Sequence, residues 1–197
     1  MTNWVNHPTD EKFTALQFAT FHGNFELIIL MTEELEADFT VKNIYGASVL
    51  HIASQGDQPG PLFYFVKVKG MDINDPDNKG STPLHWACFS KSEYSLSYIL
   101  AMEPNLEARD KNGYTPLHLA IKSVPDLEST RPVRALLLKG SKRSAVNDSG
   151  LTSVEMIKSD MSEPLKNELT QMLEEPIYFE CFMRRVPLVP IHPNHRT

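Results

Sequence analysis

The chain has 197 residues, of which 41% are hydrophobic, and its formal net charge is −6. The hydrophobic content is enough for a folded protein, and the absence of a broad cationic stripe argues against nucleic-acid binding. The two cysteines, Cys88 and Cys181, make neither a disulfide framework nor a zinc ribbon. Free thiols fit a reducing compartment, so we expect a cytoplasmic location.

After an N-terminal stretch with no signal-peptide pattern, the predicted elements repeat. In each unit a short motif begins one helix, and an apolar segment then forms a second helix. The motif begins at Thr14, Ser48, Thr82, Thr115 and Thr152, at intervals of 34, 34, 33 and 37 residues. We therefore expect five repeats, near residues 12–44, 46–78, 80–111, 113–148 and 150–175.

The motif is clearest in units three and four, where it reads Thr-Pro-Leu-His at 82–85 and again at 115–118. The threonine caps the helix, proline fits its first position, and leucine faces the core. The histidine is placed to tie the preceding turn to the helix through hydrogen bonds. Gly80 and Gly113 stand two residues earlier, where a tight turn needs positive φ.

Thr-Pro-Leu-His at a period of about 33 residues is the signature of the ankyrin repeat, and residues 13–173 resemble that family. The resemblance implies an all-α solenoid of about five helix-turn-helix repeats with short β-hairpin turns. The first and last units are degenerate, with Gln17 and Glu155 in place of histidine, as expected of repeats that cap a solenoid. Residues 1–176 would form one ankyrin repeat domain.

Two further segments are predicted to interrupt or follow the repeats. Unit four has extra residues at 123–132, and prolines near both ends of that stretch predict an ordered turn between its helices. Residues 177–183 are apolar and predict a short C-terminal helix. Residues 186–197 hold three prolines and predict an extended tail or linker.

No catalytic or cofactor site is predicted. His51, His85 and His118 recur once per repeat, and stacked helices lie about 8–10 Å apart, too far for one metal ion to bridge. The sequence has no Gly-rich phosphate loop and no nucleophile elbow. We therefore predict a chain that is not an enzyme and that binds no metal or cofactor.

A solenoid exposes a concave surface along its first helices and hairpin tips, and we expect a protein or an extended peptide to bind there. Trp86 has two interpretations: a packing residue of the inner helix, or an anchor for an extended, proline-containing peptide. The candidate partner-binding residues are Phe21, Tyr45, Gln55, Gly56, Asn78, Lys79, Trp86, Phe89, Asn112, Tyr114 and Lys122. Of these, Trp86, Phe89 and Tyr114 are expected to form an aromatic ledge in the middle of the groove.

A narrower resemblance rests on residues 80–87, which read Gly-Ser-Thr-Pro-Leu-His-Trp-Ala, and on the enlarged turn before residues 131–137. Both resemble the cytosolic ankyrin domain of DHHC-type palmitoyltransferases. In that family the domain recruits substrate proteins through short peptide motifs, and a tryptophan at the position of Trp86 contributes to the groove. The family has an asparagine where this chain has Gly56.

Two functions follow from these observations. The first is a substrate-recruiting module of a membrane-anchored protein S-acyltransferase, whose transmembrane helices and Asp-His-His-Cys domain are not in this chain. The second is a free-standing cytosolic ankyrin scaffold that binds a folded partner. Under either hypothesis the chain is predicted to be monomeric.

Overall fold

A computed structural model describes residues 4–157 and 161–174 of the chain. This part contains a short 3₁₀ turn at Trp4–Asn6 and nine α-helices. The helices are α1 (Ala15–Phe21), α2 (Phe25–Ile29), α3 (Val49–Gln55), α4 (Pro59–Phe63), α5 (Pro83–Phe89), α6 (Glu93–Ala101), α7 (Pro116–Leu127), α8 (Arg131–Leu138) and α9 (Glu163–Glu174). The helix and tail predicted at 177–197 lie outside the described residues.

The helices stack in two parallel rows. In the inner row, α1 packs on α3, α3 on α5 and α5 on α7; in the outer row, α2 packs on α4, α4 on α6 and α6 on α8. The leucine of each motif, at positions 16, 50, 84 and 117, is at most 1% exposed and joins one continuous core. This arrangement confirms the predicted all-helical repeat solenoid.

Each inner helix begins with the same reciprocal hydrogen bonds. In units two, three and four, the Ser or Thr hydroxyl and the histidine Nδ1 of the motif lie 2.8–2.9 Å apart, and the backbone N–H of the Ser or Thr donates to that Nδ1. The histidine also reaches into the next repeat: Nε2 of His51 is 2.9 Å from the Ser81 carbonyl, and that of His85 is 3.1 Å from the Tyr114 carbonyl. In unit one, Gln17 Nε2 makes the equivalent bonds to the carbonyls of Val41 and Ala47.

The turns before the motifs are joined to one another through the backbone. Each ends in a glycine with φ between 74° and 78°, at positions 46, 80, 113 and 150. Asn78 N–H donates to the Tyr45 carbonyl, and Lys111 N–H donates to the Lys79 carbonyl. Within the described residues these tips form no strand, and one isolated bridge joins Val146 and Thr152.

Units one and two each contain a π-helical turn at the end of the outer helix, Leu30–Glu34 and Tyr64–Val68. Both units are 34 residues long, whereas unit three, with 33, has the uninterrupted helix α6. In all three the helix ends at a residue with positive φ: Glu36, Gly70 and Glu103. The π-helical turn therefore accommodates the one additional residue of units one and two within the outer helix.

The turn predicted at residues 123–132 is shorter than expected. Helix α7 continues to Leu127 with Pro125 inside it, and the connection is reduced to residues 128–130. Pro125 stands in the last turn, where its missing N–H removes one hydrogen bond, while Ile121 and Val124 are fully buried and favour the helix. Thr130 is the N-cap residue of α8 without a side-chain capping hydrogen bond, and the neighbouring Ser129 hydroxyl accepts from Arg131 N–H.

Unit five differs from the others in its first helix. Residues 153–156 form turns rather than an α-helix, although Thr152 and Glu155 reproduce the capping bonds of the motif. Its second helix, α9, contributes the buried Leu169 and Leu173 to the core. This unit therefore covers the end of the stack with a less regular structure, as the sequence predicted for a degenerate repeat.

Candidate protein-binding groove

A pocket of about 490 Å³ lies on the concave side of units two to four. Its walls are the hairpin tips of units two and three, the end of α3, the exposed side of α5 and one residue of α7. The lining residues are Ile44, Tyr45, Gln55, Asp77, Asn78, Lys79, Ser81, His85, Trp86, Phe89, Ser90 and Leu119. We call this pocket the central groove.

Trp86 lies at the centre of the groove in a fixed orientation. It is half-buried, and its indole Nε1 donates a hydrogen bond of 3.0 Å to Oδ2 of Asp77. Its ring meets that of His51 edge to face, with centroids 5.5 Å apart. Part of the indole therefore packs against the inner helices and the remainder faces the groove. The role of Trp86 as a peptide anchor stays a prediction.

The other apolar side chains of the groove are open to solvent. Phe89 is 54% exposed, Tyr45 is 49% exposed and Ile44 is 44% exposed. Exposed aromatic and aliphatic groups that gather around a concave surface often mark a site of protein interaction. The aromatic character continues into unit one, where Phe13 contacts both Phe18 and Tyr45.

Six of the eleven candidate residues line the central groove: Tyr45, Gln55, Asn78, Lys79, Trp86 and Phe89. Tyr114 does not, because its ring faces His118 and the ammonium of Lys122, 5.4 Å from the ring centroid. Asn112 and Lys122 are exposed and belong to the neighbouring tip and helix, outside the pocket. Of the predicted ledge, Trp86 and Phe89 line the central groove and Tyr114 does not, whereas Tyr45 lines it as well.

Phe21 and Gly56 form a contact between units one and two. Phe21 is exposed at the end of α1, and Gly56 caps α3. A Cβ atom at Gly56 would collide with the Phe21 carbonyl oxygen. Because no side chain fits at this place, the glycine is explained by the close approach of the two repeats rather than by a contact with a partner.

Six lining residues were not among the candidates, and Asp77 is the one with the clearest role. Its Oδ1 accepts from the backbone N–H groups of Lys79 and Ser81, which closes the hairpin tip, and its Oδ2 holds Trp86. A signal was present in the sequence, since an Asn or Asp stands three residues before the glycine of each tip. These residues are Asn43, Asp77, Asp110 and Asn147.

The histidines and the cysteine of the inner helices are buried, and burial shifts their pKa values. Burial lowers the pKa of His51, His85 and His118, so these histidines are neutral at pH 7. Cys88 is fully buried, and burial raises the pKa of its thiol, which makes it a poor nucleophile. Residues 4–157 and 161–174 contain no group of three His, Cys, Asp or Glu side chains that could hold a metal ion.

Comparison with known proteins agrees with this architecture. A family model described as ankyrin repeats, in three copies, matches residues 50–148, which is half of the chain. The chain belongs to the ankyrin repeat family. Ankyrin repeats are modules for protein–protein interaction and do not themselves catalyse reactions.

Several curated proteins are similar to this ankyrin repeat chain. The target of rapamycin complex 2 subunit AVO2 of Saccharomyces cerevisiae is 26% identical over 120 residues, 60% of this chain and 28% of that protein. The palmitoyltransferase AKR1 of Lachancea kluyveri is 30% identical over 108 residues, which are 53% of this chain and 14% of that protein. Inversin of Canis lupus familiaris is 24% identical over 144 residues, which are 73% of this chain and 13% of that protein. The chain thus spans less than a third of each of these relatives.

None of the helices in the described part of the chain has both the length and the apolar character needed to cross a bilayer.

Proposed function

We propose that this ankyrin repeat chain binds an extended segment of a partner protein in its central groove. The observation that carries the proposal is the arrangement around Trp86: an indole held by Asp77 lines the same pocket as the exposed side chains of Tyr45 and Phe89. Aromatic grooves take proline-containing extended segments with a small loss of conformational entropy. Trp and Tyr also contribute more binding energy than other residues at protein interfaces.

We further propose that the chain is the substrate-recruiting part of a protein S-palmitoyltransferase. Two observations support this: the similarity to a palmitoyltransferase over 108 residues, and the tryptophan after the motif of unit three. In this function the groove holds the substrate protein while the chemistry takes place elsewhere in the full-length enzyme.

A second candidate is a scaffold that binds a folded partner. The similarity to a subunit of target of rapamycin complex 2 favours it, since that relative is named as part of a multi-protein assembly. A folded partner would contact the hairpin tips and the inner helices together, whereas an extended peptide would contact mainly the groove.

A peptide array screened with the purified chain tests the proposal, with affinities then measured by fluorescence anisotropy. Trp86→Leu is the informative variant, because Leu119 occupies the same position in unit four and maintains the helix packing. We expect this variant to lose about 1–3 kcal/mol of peptide binding while its melting temperature stays close to that of the wild type. Tyr94→Ala, which removes a highly exposed aromatic ring from the outer helix α6, is the matched control and should leave binding unchanged.

Binding to a folded partner, without binding to any peptide, would favour the scaffold. The recruiting role has a separate test in the full-length transcript. Hydrophobic spans and an Asp-His-His-Cys motif after Thr197 would support it, and an in-frame stop directly after that residue would exclude it.

A further inference from the structure

Positive charge is concentrated at one end of the groove, and this distribution indicates the kind of peptide that binds there. We propose that the bound segment has carboxylate or phosphate groups next to its apolar residues, and that these groups bind the lysines at the unit-four end of the groove. The proposal rests on the proposed function, because it concerns the ligand of the same groove.

Three lysines form the cationic part of this surface: Lys79, Lys111 and Lys122. Lys79 lines the central groove, and the Lys111 N–H donates to the Lys79 carbonyl across neighbouring tips, at 2.7 Å. Lys122 extends from α7, with its ammonium over the ring of Tyr114. In residues 4–157 and 161–174, none of these three ammonium groups has an ion pair, whereas Lys42, Lys69 and Lys166 each have one.

The nearby carboxylates do not neutralise these lysines directly. Oδ1 of Asp77 accepts from two backbone N–H groups and its Oδ2 accepts from Trp86. Asp110 Oδ1 likewise accepts from the N–H groups of Asn112 and Tyr114. Both carboxylates keep their charge but are engaged in closing their turns, and within the described residues neither forms an ion pair with one of these lysines. The lysine ammonium groups therefore remain available to a ligand.

The cationic stretch is local and opposes the charge of the whole chain. The formal net charge is −6, and exposed carboxylates follow at Asp126 and Asp148, toward unit five. The three ammonium groups of units three and four are therefore not a consequence of a generally basic surface. Such a local field attracts an anionic ligand and disfavours a cationic one.

The spacing suits one short peptide. Neighbouring inner helices are about 8–10 Å apart, and an extended chain advances about 3.3 Å per residue. A ligand with an apolar residue against Trp86 would therefore place a side chain near Lys122 about three residues further on. The recognised pattern is an aliphatic or proline-containing stretch, then an acidic or phosphorylated position about three residues away.

Four sets of fluorescein-labelled twelve-residue peptides test the proposal. All sets share the same mixed Val, Ile, Leu and Pro stretch, and two flanking positions are Glu, phosphoserine, Gln or Lys. We expect the Glu or phosphoserine peptides to bind about five- to tenfold more tightly than the Gln peptides, with the advantage reduced at high salt. The ratio between Glu and phosphoserine decides which anion the site selects.

Matched variants make the result specific. The double variant Lys79→Gln/Lys122→Gln should strongly reduce the preference for anionic peptides, measured as the ratio of the affinities for the Glu and Gln peptides. Lys67→Gln/Lys139→Gln, which removes two exposed lysines from the ends of the outer helices, should preserve the preference.

Two outcomes would overturn the inference in distinguishable ways. If Gln and Glu peptides bind equally and Trp86→Leu weakens both, the proposed lysine contact is wrong while the peptide-binding function stands. If none of the peptide sets binds the wild-type chain, the proposed function fails together with the inference.

Discussion

The carboxylate of Asp77 joins the hairpin tip of unit three to the indole of Trp86, through a 3.0 Å hydrogen bond from Nε1 to Oδ2. The same carboxylate closes the turn through its other oxygen. Because one side chain performs both tasks, the shape of the tip and the orientation of the groove's central aromatic ring depend on each other.

Asp77→Asn separates these two tasks. Asn43 and Asn147 close equivalent turns with an amide oxygen, so the tip should remain folded. The amide nitrogen that replaces Oδ2 is a donor and cannot accept from the indole N–H. We expect a three- to tenfold loss of affinity, about 1 kcal/mol, for an uncharged peptide that binds the wild-type groove, measured by fluorescence anisotropy.

Asp110→Asn is the control for this change, because its carboxylate closes the tip of unit four without contacting an indole. Equal affinities in all three proteins would contradict the role given to Asp77. The uncharged peptide is required because both substitutions also remove a negative charge near the lysines.

The buried histidines predict a loss of stability in mild acid. Burial lowers the folded-state pKa of His51, His85 and His118 below the ordinary value of 6.5, so the unfolded chain binds protons that the folded chain does not. Stability should therefore decrease as the pH falls below about 6.5, by at most ~1.4 kcal/mol per pH unit for each histidine. Thermal unfolding between pH 7.5 and 5.5 measures this slope.

His85→Gln should reduce that slope, because Gln17 makes the corresponding bonds in unit one without a titratable group. A melting temperature that does not change over this pH range in the wild type would rule out the histidine explanation. The range stays above the ordinary pKa of the carboxylates, so their protonation contributes little.

The end of α6 offers a stabilising substitution. Glu103 has φ of 54°, where a side chain is strained, while Gly70 and Gly140 hold the corresponding positions after α4 and α8. Glu103→Gly should relieve this strain, and part of the gain is offset by the greater freedom of glycine in the unfolded chain. We expect a net gain of about 0.5–1 kcal/mol, measured by urea unfolding.

Lys139→Gly is the control, because Lys139 has φ of −83° and no strain to relieve. If Glu103→Gly destabilises the chain as much as this control does, the strain at Glu103 is negligible.

The period of the motif was sufficient to predict the stack of helices, because the capping residue and the buried leucine of each motif follow from the local sequence. It also predicted half of the residues that line the central groove, because residues after the motif and at the tips fall on the concave side. Asp77 was missed because its contact with Trp86 depends on how a turn and a helix meet in space. The sequence likewise could not show that the burial of Ile121 and Val124 outweighs the effect of Pro125 on α7.

The π-helical turns have a consequence for how this protein tolerates change in length. Units one and two have one residue more than unit three. In both units this residue lies on the convex side, within the outer helix and before the residue with positive φ that ends it. The hydrogen bonds between successive tips continue across both units without interruption. One extra residue on the convex side therefore leaves the row of tips in register, so repeats of different length can follow one another without a break in the hydrogen bonds between tips.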